Sequence, residues 1–373
     1  MNKAMKFFMV AAMAVMMSGT SMASHICAYV NDNVVGPNFT EGYKIGPGAA
    51  TAHVGPYFTN GSGIGFGFLS GGLGATRLQH SDLYVEDGAS SNITHFTINK
   101  TDCTLTLDTT LYPSGDTSYA FGDGLAITPD GGTMFVGSTG DYHIYSHAIG
   151  ANGSLGPAFT ETSTGNSPWG MEVSPDGKTL VVSYALSQQV CAYPISGGHL
   201  GAANCQSAIS YPTGVSIDPD SACVYASEGN GITSEVVAFQ LSAGILGPPT
   251  DYNPLGPGAN SQGILVSWDN KALYVTDAFS AQMDMATIAS GCKLTHRAVI
   301  SDGVPRSNEP GQIAQAKIAH GYVVTGGLTL YGPPQMGIFR AQVDGRLTPL
   351  GSGQFPLTRG AFVPSTIMVV GSE

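Results

Sequence analysis

Charged residues are scarce in this chain. Lys, Arg, Asp and Glu together form 11% of its 373 residues, less than half the usual share of about 25%. Helical bundles and coiled coils draw on Glu, Lys, Ala and Leu in quantity, so the shortage argues against both. Positive charge is scarcest, with 14 Lys and Arg against 26 Asp and Glu and a formal net charge of −12. That balance repels polyanions and excludes nucleic acid and anionic membrane as partners. Long apolar runs are missing too. The longest, residues 7–17, spans 11 residues, short of the ~18 that a membrane-spanning helix needs.

The chain also lacks most catalytic and metal signatures. Its nine His show no metal spacing. His143 and His147 are four apart in a segment that reads as strand, about 13 Å along one face, too far for one ion. His53 and His95 fall at no marked place. No spaced Asp-x-Asp-x-Asp loop is present, so no metal site is assigned and no cofactor is expected, Ca²⁺ being the weak exception. Gly-x-Ser-x-Gly occurs only loosely and in a β context, whereas the hydrolase elbow is a strand-to-helix turn. Gly61-Ser-Gly-Ile-Gly-Phe-Gly67 lacks the Lys-Ser/Thr ending of a phosphate loop and reads as flexible connection.

What is abundant is Gly, with 51 residues, beside 22 Pro. Punctuators of this kind between short apolar runs indicate an all-β chain. Apolar residues at 42% and aromatics at 9% supply a core. At the N-terminus, Lys3 and Lys6 precede the apolar stretch, and Ser21 and Ala23 stand where a signal-peptide cleavage before Ser24 would read them. Residues 1–23 are therefore expected to be a signal peptide and 24–373 a single domain, secreted or periplasmic and monomeric. Ile26 occupies the place before Cys27 where a lipoprotein signal shows a small residue.

A sentence repeats along the chain. Gly124-Leu-Ala-Ile-Thr-Pro-Asp-Gly-Gly-Thr-Met-Phe-Val136 is followed by Gly170-Met-Glu-Val-Ser-Pro-Asp-Gly-Lys-Thr-Leu-Val-Val182. Gly214-Val-Ser-Ile-Asp-Pro-Asp-Ser-Ala-Cys-Val-Tyr-Ala226, Gly263-Ile-Leu-Val-Ser-Trp-Asp-Asn-Lys-Ala-Leu-Tyr-Val275 and a degenerate copy from Gln312 continue it. In each copy the opening residue precedes a strand anchor (Phe135, Val181, Tyr225, Tyr274, Val323) by 11 positions. Tyr29 and Tyr84 are two further anchors, and the anchors step by 55, 51, 46, 44, 49 and 49 residues. Each copy parses as four strands: an alternating inner strand, a Pro-Asp-Gly turn, an apolar second strand, then a third and a fourth joined at a Gly-x-Leu turn. Four strands at this period form one blade of a β-propeller.

Seven anchors imply an all-β, seven-bladed propeller. The N-terminal segment begins at a second strand, so a C-terminal strand should complete its blade and close the ring. Gly360-Ala-Phe-Val-Pro364, followed by Ile367-Met-Val-Val370, reads as that closing strand. Six or eight blades stay open, because residues 66–80 do not parse.

The repeated Gly-φ-x-φ-Ser/Thr-Pro-Asp-Gly (φ apolar), the Tyr-Val or Val-Val anchors and the Gly-x-Leu turns resemble the lactonase-type seven-bladed propeller family. That family includes a 6-phosphogluconolactonase and fungal carboxymuconate cycloisomerases. The resemblance covers nearly the whole mature chain and speaks for fold more than activity. It implies a His at the channel mouth, in the slot before the inner-strand Gly, with Arg and Glu nearby. Here that slot holds Asp123, Trp169, Thr213, Gln262, Gly311 and Arg359. None is His, and Asp123 is the one that can serve as general base.

The repeat frame also pairs the six Cys. Cys191 and Cys205 are symmetric about Gly198 and face each other across a hairpin. Cys27 and Cys223 stand two residues before anchors Tyr29 and Tyr225, while Cys103 and Cys292 stand two before Leu105 and Leu294 in the following blades. Cys27–Cys103 and Cys223–Cys292 are thus expected between adjacent blades, with buried free thiols as the alternative.

On the face where the second-to-third-strand loops emerge, the sequence places Asp32, Glu86, Asp87, Asp141, Glu228 and Asp277, with Glu172 on an inner strand. Solvated loop acids are the plain reading; a weak Ca²⁺ ring is the sharper one. Two functions follow. The first is a non-catalytic exported propeller that holds a small-molecule, glycan or protein ligand on its top face, with Trp169, Gln262, Glu228 and Asp277 as candidate contacts. The second is a lactone hydrolase or lactone-forming enzyme with Asp123 as base, Arg359 polarising the carbonyl and Glu172 assisting. The shortage of Lys and Arg, together with export, points away from a sugar phosphate.

Overall fold

The computed structural model describes residues 25–31, 36–46, 51–63, 74–77, 81–115, 124–208, 210–229, 234–252, 254–256, 260–277, 282–301, 312–315, 321–329, 332–356 and 366–371. Within them the chain is almost entirely strand, with a single 3₁₀ turn at Ser290–Cys292. The strands form seven small antiparallel sheets. Their inner strands are Thr366–Gly371, Gly74–Arg77, Leu125–Ile127, Pro168–Val173, Pro212–Ile217, Ser261–Val266 and Gln312–Gln315. Each adjoins the next, and the last returns to the first, so the seven blades close into a ring. The expected seven-bladed propeller is borne out.

Closure is made as expected by the two termini, though by a slightly later segment. Ile26–Asn31 pairs antiparallel with Thr366–Gly371, Tyr29 opposite Met368. The segment 360–364 lies outside the described residues. In the stretch that resisted parsing, Gly74–Arg77 is the inner strand of the second blade; just before it, Tyr57–Gly63 folds back onto Gly36–Ile45 as an extra strand of the first.

The second strands are buried along nearly all of their described length, and wholly so in Thr179–Tyr184 and Ala272–Asp277. Both faces of a blade pack on neighbours, which is why these strands read as continuous apolar runs. The core is accordingly divided among seven seams. Val181, Val190 and Ala192 of the fourth blade pack with Ile217, Val224 and Phe239 of the fifth, and each other seam has its own cluster.

Three repeated positions explain the sentence in the sequence. The inner-strand Gly admits the neighbouring inner strand: a Cβ on Gly124, Gly170 or Gly214 would lie 2.5, 2.7 or 2.6 Å from the carbonyl oxygen of Trp169, Thr213 or Gln262. A small hydroxyl two residues after the anchor ties the seam. Ser183 Oγ accepts from Gly170 N at 2.8 Å and donates to Thr213 O at 3.2 Å; Ser227 Oγ accepts from Gly214 N at 3.0 Å and donates to Gln262 O at 2.5 Å. The anchor Tyr reaches the next blade's Gly-x-Leu turn: Tyr29, Tyr84 and Tyr274 hydroxyls donate to Cys103 O, Gly153 O and Gly345 O at 3.0, 2.7 and 2.9 Å. A Gly214→Ala substitution therefore meets backbone of another blade, and it is expected to cost about 1–3 kcal/mol in urea unfolding. An unchanged midpoint would show that the inner strands can spread.

All three expected disulfides are formed: Cys27–Cys103, Cys191–Cys205 and Cys223–Cys292. Cys103 and Cys292 take φ of 65° and 62°, in the left-handed turn position that Gly153, Gly198, Gly244 and Gly345 fill in other blades. The slot equivalence read from the repeat is thus a backbone equivalence.

Candidate functional site

The inner strands begin at one end of the channel. In the fourth blade Pro168 opposes Tyr184, and Tyr184 opposes Gln189. The start of the inner strand and the turn between second and third strands therefore share a face, which is the mouth that the slot residues were expected to rim. Of those residues, Trp169, Thr213 and Gln262 are described and half-buried. Asp123, Gly311 and Arg359 lie outside the described residues.

Trp169 is the second residue of its inner strand. Its indole Nε1 is buried without a hydrogen-bond partner among the described residues, whereas a buried Trp N–H ordinarily finds one. The carbonyls of the slot residues in the next two blades are engaged in the seams: Thr213 O accepts from Ser183 and Gln262 O from Ser227.

The acids at the mouth are turned to structural use. Glu228 and Asp277 end their second strands opposite Pro212 and Ser261, and both are fully buried. Glu228 Oε2 accepts from Ser210 N at 2.8 Å, and Asp277 Oδ1 accepts from Asn260 N at 2.7 Å. Each carboxylate thereby fastens the chain entering the inner strand of its own blade. Asp87, in the equivalent place of the second blade, accepts from Asn38, Thr59, Asn92 and Thr94 at 2.6, 2.7, 3.2 and 2.9 Å. Burial nevertheless pushes its pKa up to about 6, the four donors only partly offsetting the lost hydration.

Glu172 lies four residues along the inner strand from Pro168, toward the opposite face. Its Oε2 accepts from Ile217 N of the fifth blade at 3.0 Å, a seam contact that Ser216 repeats one blade on by accepting from Val266 N at 3.0 Å. Asp32 falls outside the described residues. Glu86 is buried.

Two His that the sequence left unassigned are structural. His95 is buried against Tyr84, with Nε2 2.9 Å from Asp82 and Nδ1 3.4 Å from Asp108. His147 is held between Gly156 O and Ser114 O. Among the described residues, one group of side chains is close enough to share a metal, namely His25 with Cys27 and Cys103. Both sulfurs are spent in a disulfide, and a disulfide is no thiolate ligand.

Beside the mouth, between the third and fourth blades, opens a cavity of about 560 Å³ lined by residues 141–143 and 160–166. Of this lining the sequence marks Asp141, as a loop acid, and His143, as one of a His pair too far apart for a metal. The remainder is loop, without apolar periodicity to mark it.

The fold and the mouth can now be set beside known proteins. Residues 76–217 match the lactonase seven-bladed β-propeller family. No curated protein matches the chain by sequence. Among solved structures, a candidate 6-phosphogluconolactonase from Bacteroides fragilis superposes with a TM-score of 0.74 at 15% identity, over 95% of this chain and 99% of that one. A periplasmic gluconolactonase from Pseudomonas aeruginosa superposes with a TM-score of 0.69 at 17% identity, over 93% and 99%. The chain thus has the fold of the lactonase-type propellers, and the resemblance carried by its repeats is borne out. No helix among the described residues is long and apolar enough to cross a membrane.

Proposed function

We propose that the protein is an extracytoplasmic lactone hydrolase that opens an uncharged sugar lactone at the mouth of the channel. The observation that carries this reading is the Trp169 indole, a buried donor without an acceptor among the described residues, at the level of the slot residues. An unsatisfied buried donor costs about 1–3 kcal/mol, and a lactone or hydroxyl oxygen of a ligand supplies the missing acceptor. The described slot residues Trp169, Thr213 and Gln262 carry no charge, which suits a neutral ligand. The Pseudomonas neighbour's gluconolactone and periplasmic location, the three disulfides and the leader-like residues 1–23 agree with it.

In this reading Asp123 takes a proton from water as the water oxygen attacks the lactone carbonyl, with Arg359 polarising that carbonyl. The ring C–O bond then breaks, and the proton passes to the departing alkoxide to give the hydroxy acid. A pH-stat assay of the mature chain on glucono-1,5-lactone, with and without Ca²⁺ and corrected for spontaneous opening, tests it. Acid release is expected above background and is expected to fall at least about 100-fold in Asp123→Asn. Trp169→Phe keeps the ring and removes the N–H; it is expected to raise KM about 5- to 10-fold. Absence of release from any of a panel of sugar and aliphatic lactones would overturn the enzyme.

One observation favours a second reading, a non-catalytic binding module. Glu228 and Asp277 each commit an oxygen to a backbone N–H at the mouth, and Glu172, farther down the inner strand, commits one to a seam, which leaves few described acids for proton transfer. Ligand-dependent Trp169 emission in a Trp268→Phe background, without turnover, would identify it.

A further inference from the structure

The cavity between the third and fourth blades is polar, with Asp141, His143 and Glu161 in its lining beside hydroxyls and an amide. One wall is the turn at residues 141–143. Its left-handed position, held by Ser91 in the second blade and Gln188 in the fourth, is Tyr142 here, with φ 65°. The turn therefore displays a ring rather than a short polar group, and that ring is 41% exposed. Beneath it Asp141 is fixed in place, accepting from Tyr145 OH at 2.5 Å and from His143 N at 3.1 Å.

The other wall, residues 160–166, is anchored from behind. Thr164 Oγ1 lies 2.9 Å from Tyr193 OH, which lies 2.5 Å from Tyr184 OH, and Ser163 Oγ donates to Tyr184 OH at 3.2 Å. The Cys191–Cys205 disulfide stands directly behind Thr164, with Cys205 Sγ 3.4 Å from its hydroxyl. Asn166 N accepts no freedom either, donating to Ser187 Oγ at 2.6 Å. A wall held in this way loses little entropy when a ligand docks. Its rim offers the exposed side chains of Thr160, Thr162 and Asn166, and no Lys or Arg is among the described residues that line the cavity. Hydroxyls and an amide beside one exposed aromatic face suit a neutral polyhydroxylated ring, whose C–H face packs on Tyr142 while its hydroxyls bond the polar wall. A phosphate or carboxylate would meet the Asp141 and Glu161 carboxylates there, with His143 already beside Asp141 at 3.5 Å.

The cavity adjoins the mouth: Asn166 and Trp169 are three residues apart, no more than about 10 Å along the chain. We propose that this cavity is a glycosyl subsite, so that the substrate is the lactone of a disaccharide acid, its lactone ring at Trp169 and its glycosyl unit on Tyr142. The inference rests on the lactonase reading for its substrate, but the subsite itself can be tested without turnover.

The full mature chain would be assayed on glucono-1,5-lactone and on the lactones of cellobionic, maltobionic and lactobionic acids. At least one disaccharide lactone is expected to show a KM about tenfold below that of gluconolactone. Tyr142→Ala should abolish this advantage and leave gluconolactone kinetics unchanged. Equal KM values throughout, or an equal effect of Tyr142→Ala on both substrate sizes, would overturn the subsite while leaving the lactonase standing. If no lactone is turned over, calorimetric titration with cellobiose, maltose and lactose, which are neutral like the lactones, decides. Binding lost in Tyr142→Ala upholds the subsite, and absence of binding to wild type overturns it.

Discussion

Replacing Cys223 and Cys292 together by Ser is expected to lower stability by about 4 kcal/mol, measured as the unfolding free energy in guanidinium under oxidising conditions. The bridge joins the second strand of the fifth blade to the third-to-fourth-strand turn of the sixth, across a sequence separation of 69 residues. A crosslink of that span removes loop-closure entropy from the unfolded chain, worth roughly 4 kcal/mol in the chain-entropy account. Cys27–Cys103, with a separation of 76, should behave alike, and Cys191–Cys205, with 14, should contribute less, about 3 kcal/mol. The seam beneath Cys223 and Cys292 remains apolar, with Tyr225, Val236, Ile264 and Leu273 packed in one cluster, so the variant should still fold. Reductant should bring wild type down to the level of a variant lacking all three pairs and leave that variant unmoved. A midpoint for the Cys223→Ser/Cys292→Ser protein equal to that of wild type would mean that the unfolded chain gains nothing from the lost crosslink.

The legibility of those bridges in the sequence has a physical basis. A propeller turns sequence period into spatial equivalence, because every blade meets its neighbour through the same positions. Two residues before an anchor is therefore one place in space, whether Cys27, Asp82 or Cys223 occupies it. In the second blade Asp82 meets His95 there, over Gly153 of the third. The same logic made the inner-strand Gly, the turns and the blade count readable. It did not settle the closing strand, since two short apolar runs lie side by side near the C-terminus and period alone cannot choose between them; Thr366–Gly371 pairs with Ile26–Asn31, and 360–364 lies outside the described residues. Nor did it reach the tasks of Glu228 and Asp277. Expected in loops, both lie at the mouth end of the second strands, and the backbone N–H groups they hold, at Ser210 and Asn260, carry no sequence mark. The cavity between the third and fourth blades was invisible for a similar reason, being shaped by how two loops lie against Tyr184 and Tyr193 rather than by any pattern of residue types.

Asp87 is where stability should respond to pH. Its carboxyl is fully buried, and burial raises its pKa from 3.8 to about 6 despite four hydrogen-bond donors. A carboxyl that is harder to ionise when folded favours the folded state while it is protonated. That contribution is whole below the unfolded value of 3.8, declines as pH rises through about 6, and is absent above it. The shift of about two units corresponds to a loss of roughly 3 kcal/mol between pH 4 and pH 7. Asp87→Asn is neutral at every pH and should remove this slope. The amide oxygen can still accept from Thr59 and Asn38, and Thr94, whose hydroxyl also reaches Thr59 O, can turn to accept from the new amide. The cost falls on Asn92, whose Nδ2 donates to the present carboxylate and would have to reverse its own amide. Unfolding free energies of wild type and Asp87→Asn at pH 4.5 and pH 7 give a double difference in which other titrating groups cancel. The variant should lose less stability between the two pH values than wild type does, by about 2–3 kcal/mol. Identical pH dependence in both proteins would mean that Asp87 is already ionised in the acid range and that its four donors outweigh its burial.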